Sequence, residues 1–303
     1  MQLTESKAST RIALKNVLLT TDFSGNSHVA LPYALAISRH YGSTLHTVHV
    51  IPEFNILVPT DPASLDYERE KRSALERIRE LDPELREVRH QAHIRRGRIW
   101  EVVSEVIAEH HIDLLVLGTH GYGELRKLVL GSVEDELLRR IPCPVLTIGP
   151  NAVCRIKKEF EETVKDMRTA DIELKQIILA VDFNLECLTP VPLAISLAQE
   201  FQAQLGLLYV VEQSQDPANH LVLEHLEGLL PADTELWCRP QAIVKFGVAS
   251  EKILELASDS RADLIILGVR GAKAQLGYAT HFPWSTAHRV IAAAPCPVLT
   301  VRN

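Results

Sequence analysis

The chain has 303 residues, 46% of them hydrophobic but only 5% aromatic, and a formal net charge of −7. That length suits two domains of about 150 residues each, and the aliphatic bias suits sheets covered by helices better than an aromatic-rich sandwich. The acidic balance argues against nucleic-acid backbones and anionic membranes as partners, and no stretch reaches the roughly 18 apolar residues that a membrane span needs.

The first predicted strand, Val17 to Thr20, is a continuous apolar run of the kind a parallel strand buried on both faces shows. From Ser27 to Tyr41 the apolar residues fall near helical spacing, with Pro32 in the first turns and Gly42 as a stop. Leu45 to Ile51 reads as a second strand, and Leu65 to Arg89 as a charged helix interrupted near Pro83. A short third strand is predicted over Gln91 to Ile94, then a helix over Arg98 to His111 and a fourth strand over Leu114 to Leu117. A helix over Ser132 to Arg140 leads into a fifth strand, Val145 to Ile148.

The pattern then starts again. Leu18-Leu19-Thr20-Thr21-Asp22-Phe23 returns 160 residues later as Ile178-Leu179-Ala180-Val181-Asp182-Phe183. Asp113 to Gly118 returns as Asp263 to Gly268, and Pro142-Cys143-Pro144-Val145-Leu146-Thr147 as Pro295-Cys296-Pro297-Val298-Leu299-Thr300. A period of about 150 residues is far too long for a solenoid and marks a duplicated domain. The expected organisation is a first domain over 1–150, a polar linker over 151–173 and a second domain over 174–303. Strands alternating with helices predict the α/β class: two tandem, doubly wound, parallel five-stranded sheets with flanking helices. The last strands, Val145 to Ile148 and Val298 to Val301, are apolar edges that need cover, so the two copies should pack on each other as an intrachain pseudo-dimer. Further self-association into a homo-oligomer is compatible with this arrangement.

In open α/β sheets ligands sit at the carboxyl ends of strands. After the fourth strand comes Gly118-Thr119-His120-Gly121, nine residues, then Gly131-Ser132. The glycines permit close approach of main-chain N–H groups to an anion, and Gly131-Ser132 opens a helix whose N-terminus favours negative charge. Neither the P-loop pattern nor the dinucleotide fingerprint is present. Turn-starting glycines occur in many α/β proteins; the helix start at Gly131-Ser132 tips the reading toward an anion site.

The spacing G-x2-G-x9-G-S after Asp113-Leu114-Leu115-Val116-Leu117-Gly118, with Leu130-Gly131-Ser132-Val133 and the closing Pro142-Cys143-Pro144, resembles the nucleotide loop of ATP-binding universal stress proteins. The resemblance covers nearly the whole chain as two family domains. It implies an adenine-nucleotide α-hydrolase-like, Rossmann-like fold and ATP as ligand, with Mg²⁺ carried on the phosphates. Carried over by position, Thr20 and Asp22 would line the adenosine pocket with Val50, and Leu117 and Gly118 would begin the phosphate loop. Gly121, Gly131, Ser132 and Val133 would contact the phosphates. Thr20 departs from the proline or alanine often found there. Without the family, Asp22 reads equally as a turn former and Val50 as core.

The second copy keeps Asp182, Gly268 and Gly271, but Trp284-Ser285 stands where alignment on the closing prolines expects Gly131-Ser132, and its loop is three residues longer. That site is expected to be altered. The 13 histidines show no metal spacing: His46 and His49 point to opposite faces of a strand, and His110 and His111 sit at a helix end. No metal ligand and no catalytic residue is assigned. Cys143 and Cys296 read as buried thiols, and Arg95-Arg96-Gly97-Arg98 as a solvated loop. With no C-x-x-C pair among five cysteines and no apolar leader in residues 1–16, reduced thiols in the cytoplasm are the expectation. The functional expectation is a regulatory, ATP-binding stress protein without a dedicated reaction, using no nucleic acid and no membrane. The alternatives are an ATP-independent scaffold, or a weak ATPase or phosphotransferase. The pyrophosphatase and nucleotidyl-transfer motifs of related folds are absent, and no Walker-type lysine or general base is evident.

Overall fold

The computed structural model describes residues 12–24, 27, 29–53, 63–81, 85–119, 132–149, 151–152, 173–183, 188–212, 219–230, 240–269 and 283–302. In the first half these form β1 (Asn16–Thr20), α1 (Leu31–Tyr41), β2 (Thr44–Pro52), α2 (Ala63–Glu80), β3 (Arg89–Gly97), α3 (Ile99–His110), β4 (Leu114–Gly118), α4 (Ser132–Arg140) and β5 (Val145–Ile148). The second half repeats the order with β6 (Gln176–Ala180), α5 (Pro190–Phe201), β7 (Gln204–Val211), α6 (Asn219–Glu227), β8 (Gln241–Phe246), α7 (Ala249–Asp259), β9 (Leu264–Val269), α8 (Pro283–Ala293) and β10 (Val298–Arg302). No described helix is long and apolar enough to cross a membrane.

Local chemistry explains the boundaries. Proline sits in the first turn of α1, where a missing N–H costs nothing, and Gly42 caps its end in the left-handed region at φ 63°. Gln202 ends α5 in the same conformation without being glycine. The α2 helix stops at Glu80, short of the predicted Arg89, in keeping with the bias that Pro83 imposes on the residue before it. Strand β3 runs farther than predicted, because Val50, Ile51 and Pro52 pair with Arg95, Arg96 and Gly97. Arg95 and Arg96, which resembled a solvated loop, belong to this strand, and Arg98 is the N-cap of α3. Among the described strands β3 pairs only with β2, and an edge position leaves charged side chains room to reach water.

The two predicted five-stranded sheets are halves of one ten-stranded sheet, ordered β3-β2-β1-β4-β5-β10-β9-β6-β7-β8. All pairings are parallel except the seam, where β5 and β10 run antiparallel with Val298, Leu299 and Thr300 opposite Thr147, Leu146 and Val145. Each half thus hides the other's last edge, as the apolar character of these strands required. Alternation along the strands feeds two cores. Val17, Leu19, Ile177 and Leu179 face a layer containing α1 and α5, while Leu18 and Ile178 face α3, α4, α7 and α8. Both cores cross the seam without a break, so the halves share their hydrophobic interior.

At the amino ends of the strands the two copies use one carboxylate in the same way. Asp113 Oδ2 accepts the Lys15 and Asn16 N–H groups at 2.7 and 2.9 Å. Asp263 Oδ2 accepts those of Lys175 and Gln176 at 2.8 and 2.9 Å. The aspartate of the repeated strand motif therefore splices β4 to β1, and β9 to β6, at the end opposite the glycine.

Candidate functional site

In each half the strand order reverses direction between the first and fourth strands, at β1/β4 and at β6/β9. Such a reversal leaves a crevice, because the crossovers on either side leave the sheet toward opposite faces. Thr20 ends β1, Val50 lies near the end of the neighbouring β2, and Gly118 ends β4 on the other side. All three strands are parallel, so these residues share one edge of the sheet.

Past β1 the chain is tied down closely. Thr21 N–H donates to Val48 O at 3.0 Å, extending the ladder by one step. Phe23 takes a positive φ of 58° while its N–H donates to Thr21 Oγ1 at 3.0 Å. Asp22 Oδ1 accepts the Ser24 N–H at 2.9 Å, so the turn-forming role is realised in this exposed carboxylate. The His49 ring bonds Thr21 O at 2.9 Å and lies 4.7 Å from the Phe23 ring, over which Arg77 sits at 5.5 Å. Phe183 and Tyr209 repeat this ring contact in the second half at 4.8 Å.

Val50 is half-buried against the core under α3, and Thr20 and Gly118 are likewise half-buried. Leu117 is 2% exposed and belongs to that core, so only its main chain can face a ligand. Thr119 adds a ladder bond from its N–H to Ile148 O at 3.0 Å. Ser132 and Val133 are the first two residues of α4, which returns from this edge toward β5. Gly121 and Gly131 lie outside the described residues, as does most of the predicted phosphate loop. Thr20, Val50, Leu117 and Gly118 lie at or near the carboxyl ends of neighbouring parallel strands, with Asp22 in the turn that follows β1. In the second half α8 begins at Pro283, so Trp284 is its second residue.

A different cluster was invisible to spacing. His46 of β2, His93 of β3 and His110 of α3 offer ring nitrogens that all lie within 4.8 Å of one another. The His46 and His93 rings stack at 5.3 Å, and both approach the His110 ring, at 4.8 and 4.5 Å. Burial, with the neighbouring His110, pushes both His46 and His93 down to about 4, so these two rings are neutral at neutral pH. Close by, Arg95 donates to both carboxylate oxygens of Glu109 from its Nη1 and Nη2. A further concave region, lined by Lys15, Asn16, His40, Tyr41, Arg89 and Glu200, also lies at the amino ends of the strands, away from the β1/β4 crevice.

The model of the universal stress protein family matches residues 13–149 and again 173–302. The chain belongs to the universal stress protein family. A universal stress protein of Thermus aquaticus is 29% identical over 138 residues, covering 44% of this chain and 98% of that protein. Universal stress protein A homolog 1 of Coxiella burnetii is 31% identical over 142 residues, covering 44% and 95%. Universal stress protein E of Photorhabdus laumondii spans more of this family member, 66%, at 23% identity, with 64% of its own length covered. Among solved structures, a universal stress protein of Archaeoglobus fulgidus superposes with a TM-score of 0.71 over 96% of this chain and 99% of that one, at 19% identity. That likeness extends the shared fold across both halves.

Proposed function

We propose that this universal stress protein binds ATP, with Mg²⁺ on its phosphates, in the β1/β4 crevice of its first half, and acts as a nucleotide-responsive regulator. The observation that carries this reading is the shared edge at the strand reversal. Thr20, Asp22 and Val50 are suited to an adenosine, and Gly118 leads toward a phosphate loop that closes at the N-terminus of α4. Free N–H groups and the positive dipole end favour anions at such a terminus. The spacing of Gly118, Gly121, Gly131 and Ser132 resembles that of ATP-binding family members, and it supports phosphates cradled by main chain. No side chain is assigned to bond-breaking chemistry, so the nucleotide is read as a ligand.

The second half keeps the crevice but brings Trp284 and three extra residues to the helix start. Losing two charge-assisted N–H bonds costs roughly 3 kcal/mol or more, above a hundredfold in affinity. Calorimetric titration of the full chain with ATP and Mg²⁺ is therefore expected to give close to one ATP per chain. A value of two would overturn the reading of the second half, and no binding would overturn the proposal.

A further inference from the structure

We propose that His46, His93 and His110 form a binding site for one divalent ion of the zinc type, separate from the nucleotide crevice. The three residues come from β2, β3 and the last turn of α3. Helix α3 runs back from the end of β3 to the start of β4, so the cluster lies toward the amino ends of the strands. The β1/β4 crevice opens at the other end.

The geometry is close to what an ion requires. Zn–N bonds of about 2.0–2.1 Å in a tetrahedron set ligand nitrogens about 3.3 Å apart. His46 Nδ1 stands 3.0 Å from His93 Nε2, and the remaining separations in the set reach at most 4.8 Å. A small rotation of the half-buried His110 ring closes the triangle. His46 is 2% exposed, whereas His93 and His110 are only half-buried, leaving the outer side for water as a fourth ligand.

The tautomer of the buried ring is set by its other neighbour. Asn16 Nδ2 donates to His111 O at 3.4 Å, which turns Asn16 Oδ1 toward His46 Nε2, also at 3.4 Å. His46 Nε2 must then carry the proton, and Nδ1 directs its lone pair at His93. Histidines that ligate metals are commonly held in this way by a carbonyl oxygen behind the ring. The C-terminal end of α3 contributes partial negative charge beside His110, and Glu109 Oε2 lies 3.9 Å from His110 Nε2. Three imidazole ligands suit Zn²⁺, Cu²⁺ or Ni²⁺, and not Mg²⁺ or Ca²⁺.

The second half is an internal control. The strand registers place Gly206 where His46 stands and Ile243 where His93 stands, and Ser260 follows α7 where His110 ends α3. There a Cβ on Gly206 would lie 3.5 Å from the Ile243 side chain, so the same two positions meet, as packing alone. The fold forms without histidines at these places. Their presence in one half alone points to a ligand.

The test uses the full chain, stripped of metal with a chelator and kept free of nucleotide. Zn²⁺ is titrated in competition with a chromophoric chelator, and Co²⁺ serves as a coloured probe of tetrahedral coordination. One ion per chain is expected. His93→Ile and His110→Ser, which copy the second half, should weaken it on the order of a hundredfold or more. Asn16→Ala should weaken it about tenfold by freeing the His46 ring. A folded wild-type chain that binds neither Zn²⁺ nor Co²⁺ overturns the proposal. So does undiminished binding in folded His93→Ile and His110→Ser, which would locate the ion elsewhere.

Discussion

Leu146 of β5 and Leu299 of β10 stand opposite each other at the centre of the antiparallel seam, both nearly buried and both in the core that crosses it. The relationship is that of a two-fold axis, although the residues belong to one chain. Neither strand can be exposed alone without uncovering the other half's core.

Leu299→Asp places a carboxylate in that core and is expected to cost on the order of 3 kcal/mol or more. Hydrogen exchange should rise in β5 as well as β10, while β2 and β7 remain protected. Exchange confined to β10 would mean that the two halves are held together by something besides the seam.

The splice at the amino ends makes a second prediction. Asp113→Ala leaves two main-chain N–H groups without their carboxylate, at a cost of roughly 1–3 kcal/mol given its partial exposure. Asp263→Ala should cost about the same, because its two bonds have nearly the same lengths. The check is the urea midpoint together with ATP affinity. Affinity should hold steady in both variants, since the aspartate of the motif works at the end away from its glycine.

Much of this architecture is legible in the sequence because duplication doubles every signal. The repeat of Leu18 to Phe23 at Ile178 to Phe183 gave the halves, and the apolar last strands gave the seam. Strand β3 was read too short because Arg95 and Arg96 look like loop residues, and an edge strand tolerates them. The histidine cluster was hidden for a different reason. His46, His93 and His110 are joined by sheet register and a crossover helix, and no linear spacing encodes either. Thr20, Val50 and Gly118 share one sheet edge because strand order makes the ends of β1, β2 and β4 neighbours.

The proposed phosphate site has its own point mutation, supplied by the second half. Gly131→Trp copies the residue found at the equivalent place, Trp284, and should abolish ATP binding with the circular dichroism spectrum unchanged. Ser132→Ala should cost only about 1 kcal/mol, or somewhat more for a charged acceptor. Equal ATP affinity in Gly131→Trp and wild type would put the phosphates elsewhere.

Cys143 gives a pH-dependent outcome. Burial pushes its thiol up to about 12, so at pH 8 only about one molecule in ten thousand carries the thiolate that an alkylating reagent needs. An unfolded thiol ionises near 8.5, roughly. The unfolded state therefore releases its proton first, and stability from this group is complete below about pH 8.5 and lost as pH climbs toward 12. Peptide mapping after iodoacetamide at pH 8 should find Cys143 unmodified in native protein and modified in urea. Rapid labelling of the native protein would contradict the burial.

The two ends of the seam are related by the same pseudo-symmetry but solved with different residues. On one side Gly149 follows β5 and passes beneath the last turn of α8, where an added Cβ would meet Ile291 O at 2.6 Å. On the other, Arg302 ends β10 and its Nη1 donates to Arg139 O near the end of α4. Asn151 adds a bond to Ala293 O at 3.0 Å on the glycine side. The glycine here is needed for space, since the obstruction is a main-chain carbonyl in a helix that packs on the shared core and cannot swing aside. Gly149→Ala is expected to cost about 1–3 kcal/mol through displacement of α8 or β5. Arg302→Ala removes a hydrogen bond and leaves the helices where they are, at about 1 kcal/mol. Thermal unfolding should rank the glycine variant as the less stable of the two. Equal stability of Gly149→Ala and wild type would show that α8 stands farther from the seam than this contact requires.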